Sequence, residues 1–306
     1  MKIRLGYACI TNTLNITSSS TYPYSRFIKE KDYNKLNDII ISNLTDLKEI
    51  LLYNSKNNIH FFRISSELIP LATKNDVVFD YIDSFKSYYK DIHGLIKNMR
   101  VDFHPSQFCV LNSTRKEVVK NSIDILKYHY KLLKVIGVKN KIMILHIGSS
   151  ILGKKNSIRR FINNYNKLPN YLKKCIVIEN DDKVFTVSDC ILISRELNIP
   201  IVLDYHHYKC NNEDELSEHL VEILNSWAIT PKMHFSSPKN KKEKRSHNDY
   251  INSEDFINFI TLLKPYNIDI DIMIEAKAKD EALFRLVREL KYKTNYNFID
   301  ETTFIV

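Results

Sequence analysis

The stretch KIMILHIGSSILGKKNSIRRFINNYNKLPNYLKKCIVIENDDKVFTVSDCILISRELNIPIVLD, residues 141–204, decides the fold. Short runs rich in Ile, Val and Leu at 141–147, 175–179 and 200–204 read as strands, with helical periodicity at 157–167 and 187–197 between them. Apolar strands separated by amphipathic helices pair in parallel, because each return to the sheet needs a crossover. The same alternation runs outward to both ends of the chain. Strands are expected at 3–8, 59–64, 100–104, 232–235 and 269–275, and helices at 33–53, 77–97, 116–136, 213–227, 253–263 and 279–291. Eight successive βα units close most naturally into a (β/α)8 TIM barrel, an α/β fold, and 306 residues suit a single domain spanning 1–306. No glycine-rich fingerprint follows the first strand, which argues against a dinucleotide fold.

In such a barrel the active site forms at the C-terminal ends of the strands, so polar residues there carry weight. The ends hold His104, His146, Glu179, Asp204 followed by His206 and His207, then His234 and Glu275. A single histidine beside an apolar strand is ordinarily a core residue. Six consecutive strands ending in His or carboxylate would bury several charges together, which is costly unless cations neutralise them. Imidazole with carboxylate and no thiolate suits Zn, Mn or Fe, and the donors outnumber what one ion needs, so two or three divalent ions are expected. Glu179, at the middle of the arc, is placed to bridge two of them, an arrangement used for in-line phosphoryl displacement. His60, His93, His129 and His219 lie at a strand start or within helices and read as structural.

A net charge of +9 and a pI near 9.1 favour anionic partners such as nucleic acid. The basic stretch 236–248 (SSPKNKKEKRSHN) follows the seventh strand and reads as a solvated loop, with a phosphate-contacting arm as its functional reading. The five cysteines Cys9, Cys109, Cys175, Cys190 and Cys210 are widely spaced and odd in number, as expected of reduced thiols. No stretch matches a signal peptide or a membrane span, so a soluble cytoplasmic or nuclear protein, not secreted, is expected.

The motifs RLGYAC, FRISSELIPLAT, FHPSQFCVLNS, LHIG, IENDDKVF, LDYHH, PKMHFSSPK continuing to RSHNDY, and IMIEAKAKD run nearly end to end. In this order they resemble the UV damage endonucleases, which are similar in turn to the apurinic endonucleases of the xylose-isomerase-like barrel class. The resemblance implies an ATP-independent enzyme without a nucleotide cofactor. It would use divalent metal, typically Mn2+, with Zn2+, Mg2+ or Co2+ as alternatives. Its substrate would be damaged double-stranded DNA, cut immediately 5′ of cyclobutane dimers or 6-4 photoproducts, and at abasic sites in a wider range, leaving 3′-hydroxyl and 5′-phosphate. Matching motif positions imply His104, His146, Glu179, Asp204, His207, His234, His247 and Glu275 as ligands. The family's D-x-x-H spacing thus selects His207, whereas strand alternation would favour His206, and the family alone adds His247. It also implies that Lys232 joins Glu179 and Glu275 in the catalytic set, helping to neutralise the leaving oxygen. Gln107 and Phe108 would enter the helix at the lesion, and Tyr7 and Asn12 would line the groove. Two departures stand out: Lys74 occupies a common family histidine position, and Thr11 stands where a relative has asparagine, with Asn12 one step on.

Two other readings follow from the same residues. A sugar isomerase or epimerase of this barrel class would use similar ligands, but has no reason for a basic loop or for salt-dependent affinity for duplex DNA. A metal-stabilised lesion-binding protein would bind without cutting. A monomer is the simplest expected state.

Overall fold

The computed structural model describes residues 1–212 and 214–306. Eight parallel strands form the barrel: β1 (Lys2–Ala8), β2 (Phe61–Ile64), β3 (Arg100–Phe103), β4 (Met143–His146), β5 (Ile176–Glu179), β6 (Ile201–Asp204), β7 (Lys232–Phe235) and β8 (Ile270–Ile274). Each pairs with the next, β8 pairs with β1, and β1 meets β2 through Tyr7↔Phe62 and Ala8↔Arg63, which closes the ring. That last seam is tight. A Cβ on Gly6 would sit 2.2 Å from the Phe61 carbonyl oxygen, so only glycine lets these two strands approach.

The helices are α1 (Tyr24–Glu30), α2 (Tyr33–Lys56), α3 (Lys86–Leu95), α4 (Lys116–Val135), α5 (Lys154–Asn166), α6 (Asn170–Lys173), α7 (Val187–Leu197), α8 (Tyr205–Cys210), α9 (Leu220–Asn225), α10 (Ser253–Leu263) and α11 (Lys279–Lys293). Polar caps set several starts. Asp32 accepts from the Lys35 amide, Thr186 and Asp189 form a reciprocal capping box, and Asn252 accepts from the amides of Glu254 and Asp255. The apolar faces of the helices and the outward faces of the strands share one continuous core.

The structure departs from the periodicity at identifiable places. The helix expected over 77–97 begins only at Lys86. Before it, Asp80 Oδ1 accepts from the amides of Ile82 and Asp83 at 3.0 Å, a local turn that competes with helix. The segment expected over 213–227 starts at Glu213, outside the described residues, and yields a 3-10 turn at Leu216–Glu218 followed by α9. The one- or two-turn helices α1, α6 and α8 are too short for a periodic signal. A further antiparallel pair, β9 (Asn297–Phe298) and β10 (Thr303–Ile305), docks on the first half of β1, where β2 does not reach. No helix among the described residues is long and apolar enough to cross a membrane.

Candidate metal centre

Alternate residues of each strand point into the barrel, and their contacts form a charged ladder of three levels. Lowest, Asp271 of β8 pairs with Arg4 of β1 at 2.6 Å and with Arg100 of β3 at 2.7 Å. In the middle, fully buried Lys232 of β7 donates to Asp102 Oδ2 of β3 at 2.6 Å and lies 4.8 Å from the centre of the Phe61 ring. At the C-terminal rim, Arg63, His104, His146, Glu179, Asp204, His207, His234 and Glu275 converge.

Glu179 is the centre of this upper level. Its Oε2 lies 2.8 Å from His104 Nε2 and 3.6 Å from His146 Nε2, and its Oε1 lies 2.7 Å from His234 Nδ1 and 3.9 Å from His207 Nδ1. Among the described residues, three groups have the spacing to hold an ion: His104, His146 and Glu179; Glu179, Asp204 and His207; Asp204, His234 and Glu275. Neighbouring groups share a carboxylate, first Glu179 and then Asp204, so the donors form a continuous arc.

Local structure explains the spacing of two of these donors. Asp204 is the N-cap of α8, and its Oδ1 accepts from the His207 amide at 2.8 Å, so the cap itself sets a donor three residues on beside the carboxylate. Its other oxygen, Oδ2, is buried without a hydrogen-bond partner among the described residues, 3.6 Å from His207 Nδ1. His104 makes the same point. Its Nδ1 faces the Pro105 carbonyl at 3.0 Å and therefore carries the hydrogen, leaving the Nε2 lone pair against Glu179 Oε2. Two facing lone pairs repel unless a cation or proton lies between them. The residues present fit divalent ions.

The electrostatics follow from burial and charge. Burial pushes Glu179 up, but the charges of His234 and His146 outweigh it and hold the carboxyl well below its usual range. Asp204 is pushed up to about 6 by burial, with Glu179 and Glu275 adding to the rise. His207 moves to about 9, because Asp204 and Glu179 overcome the burial that would lower it. Lys232 is drawn down to about 8, chiefly by burial, against the pull of Asp102.

The structure brings His104, His146, Glu179, Asp204, His207, His234 and Glu275 together and leaves His247 at the edge. The His247 ring is 6.4 Å from that of His207 and 5.2 Å from that of His206, and it belongs to none of the three groups. His206 is buried and turns its Nε2 toward the Arg245 carbonyl, 3.4 Å away in the basic loop. That loop is solvated only over its middle, since Ser236 and Ser237 are buried and Pro238 bridges to His247.

Two expectations need correcting. Lys232 does not face a leaving group: it is wholly enclosed one level below the donors, where Asp102 fixes its ammonium. Tyr7 does not line a groove. It is 0% exposed, packed edge-on against Phe62, and its hydroxyl donates to Asn54 Oδ1 at 2.7 Å. Gln107 and Phe108 do stand free on the loop between β3 and α4, with Phe108 72% exposed. Asn12 is exposed on the loop after β1, its amide held by Asp280. Lys74 lies over the Tyr24 ring at 5.0 Å and, with Ser66, Gln107, Phe108 and Arg115, borders a cavity of about 720 Å³.

Arg63, near the end of β2, escaped the strand-end reading, which weighed histidines and carboxylates there. Its guanidinium donates to His234 Nε2 at 2.8 Å and pairs with Glu275 Oε1 at 2.7 Å, and its Nε lies 4.0 Å from Asp102 Oδ1. It links the upper and middle levels of the ladder. Counting cations as well as ligands at strand ends would have found it.

Residues 3–303 match the family described as UV-endonuclease UvdE. A UV DNA damage endonuclease of Bacillus cereus is 40% identical over 301 residues, covering 95% of each chain. The crystal structure of SacUVDE is 37% identical with a TM-score of 0.87, covering 95% of this chain and 98% of that one. A 3-keto-D-glucoside 4-epimerase from E. coli superposes with a TM-score of 0.62 over 95% of this chain and 99% of its own at 11% identity, a likeness of fold alone.

Proposed function

Because the chain belongs to the UV-endonuclease family, we propose that it is a metal-dependent DNA repair endonuclease that cuts the phosphodiester bond immediately 5′ of UV photoproducts, leaving 3′-hydroxyl and 5′-phosphate. The observation that carries this reading is the arc of three donor groups sharing Glu179 and Asp204 at the C-terminal rim. Such an arc suits two or three divalent ions; imidazole and carboxylate without thiolate suit Zn, Mn or Fe, and among these the family resemblance favours Mn2+. When bound, these ions supply activated water and neutralise charge on the phosphate.

The chain's own residues set the stage for that chemistry. Glu179, Asp204 and Glu275 provide the negative charge that holds the ions, with His104, His146, His207 and His234 completing the arc and His247 closing it from the basic loop. Arg63 keeps Glu275 and His234 in place. Lys232 acts from beneath, as a positioning residue, by fixing Asp102. Gln107 and Phe108 read the lesion, an apolar ring filling the gap in the stack and an amide replacing lost base hydrogen bonds. The cavity beside them has room for displaced bases. Asn12, Lys74 and the basic loop contact the backbone. We assign this activity to a single domain, 1–306, working as a monomer.

The test is a labelled duplex carrying one cyclobutane dimer, incubated with Mn2+ or with chelator and mapped at nucleotide resolution. We expect a nick immediately 5′ of the dimer with Mn2+ and none with chelator; metal-independent cutting, or cutting elsewhere, would overturn the reading. For lesion reading, Phe108→Ala should leave stability unchanged because the ring is exposed. It should weaken the preference for dimer over undamaged duplex by roughly 5–150-fold, the worth of one base–aromatic stack of about 1–3 kcal/mol. Competition binding measures this ratio, and an unchanged ratio would exclude Phe108 from recognition.

A further inference from the structure

The loop between β4 and α5 ends in Ser149-Ser150-Ile151-Leu152-Gly153, and its apolar tip faces solvent: Ile151 is 57% and Leu152 71% exposed. Two adjacent aliphatic side chains in water gain nothing from burial, so their display needs a reason. Leu152 also adopts φ 64°, a left-handed conformation that a leucine rarely takes without support from its surroundings.

That support is present, and it makes the tip rigid. Ser157 Oγ donates to the Ile151 carbonyl at 3.2 Å, Arg160 also donates to that carbonyl, and Asn156 Nδ2 donates to the Leu152 carbonyl at 2.9 Å. At its root the loop is joined to the loop carrying Gln107 and Phe108. Asn112 donates to the Ser149 carbonyl at 2.7 Å and accepts from the Ser149 amide at 2.9 Å. The two loops touch so closely that a Cβ on Gly148 would lie 2.7 Å from Asn112 Oδ1 and 2.8 Å from Val110 Cγ1. Phe108 and Leu152 therefore stand on one fastened unit at the C-terminal rim, the face that holds the donor arc. Behind the tip, α5 has no acidic residue in its first turn; Lys154 pairs with Asp189 at 2.7 Å and Arg160 donates to the loop carbonyls, but Lys155 and Arg159 are exposed, a setting that suits a polyanion rather than a protein's apolar face.

We propose that Ile151–Leu152 is a second apolar wedge of this enzyme, with Leu152 entering the base stack of the damaged duplex beside the position read by Phe108. The proposal rests on the DNA endonuclease reading above. Aliphatic side chains that part base steps act by unstacking, and a dimer-weakened stack costs least to part. Rigidity matters here, because a floppy tip would lose in ordering what it gained by insertion. The wedge thus adds lesion selectivity without touching the metal arc.

The experiment compares wild type, Leu152→Ala and Leu152→Met on duplexes with and without one dimer, reading competition binding, the nicking rate and the fluorescence of 2-aminopurine placed beside the lesion. Wild type is expected to enhance 2-aminopurine fluorescence on binding. Leu152→Ala should lose most of that rise and about tenfold of the dimer preference at unchanged melting temperature, and Leu152→Met should keep both. If wild type prefers dimer duplex and Leu152→Ala matches it in preference and fluorescence, the wedge is overturned while the endonuclease reading stands. If wild type neither prefers nor cuts dimer duplex, both fall together.

Discussion

Glu179→Gln is expected to give a folded protein whose nicking of dimer duplex is down on the order of 10³-fold or more. The carboxylate contacts His104, His146, His207 and His234 at once and belongs to two of the three donor groups. Glutamine keeps its shape, so the strand pairing His146↔Glu179 and the packing of β5 persist. The amide removes the charge that binds two neighbouring positions and turns an N–H2 toward lone pairs that expect a cation. A loss of about 4 kcal/mol corresponds to that thousandfold drop. Nicking rates with Mn2+, circular dichroism and counting bound Mn2+ by paramagnetic resonance check it together. A variant that bound its full complement of Mn2+ and cut at the wild-type rate would remove Glu179 from the centre of the chemistry.

Much of this centre was legible because strand ends and barrel rims coincide. His104, His146, Glu179, Asp204 and Glu275 each end a strand run and His234 lies one residue from the end of its own, and an apolar run is a strong signal even when its exact bounds are not. The choice between His206 and His207 was not legible from alternation, since period 2 stops where the strand stops. What selects His207 is the cap: Asp204 turns the chain into α8 and carries His207 back beside itself, sending His206 to the basic loop. The depth of a residue within the barrel was equally hidden. Lys232 and His234 share a strand face, but two residues along a strand span roughly 6.6 Å, enough to put one among the donors and the other in a sealed interior. Tyr7 failed for a related reason, since its place on β1 points it outward into the helix layer, where Asn54 of α2 holds its hydroxyl.

The fold by itself does not choose the chemistry, as the likeness to an epimerase at 11% identity makes plain. The features that separate a nucleic-acid enzyme from a sugar enzyme lie on the loops above the shared arc. Phe108 and the basic segment 239–245 are exposed there, where a small polyol would need a closed, polar pocket instead.

The second large effect is expected beneath the arc. Lys232→Met leaves Asp102 fully buried, with Arg63 at 4.0 Å as its nearest remaining cation on the upper side. Removing one partner of a buried pair costs about 3–5 kcal/mol, because an uncompensated charge stays behind. In a chain of this size the melting temperature should fall on the order of 10 °C. The companion variant Lys232→Met/Asp102→Leu removes both charges, and apolar replacement of a whole buried pair is near neutral, so most of the stability should return. Nicking should not return with it. Arg63 would keep its contacts to Glu275 and His234 but lose the charge of the Asp102 carboxylate 4.0 Å from its Nε, and residues supporting metal ligands from behind are worth roughly 10–100-fold. Thermal melts and Mn2+ affinity of both variants separate the two roles. Recovery of stability and of nicking together would reduce Lys232 to a counterion for Asp102. A single variant that melted like wild type would mean the ladder does not hold the arc at all.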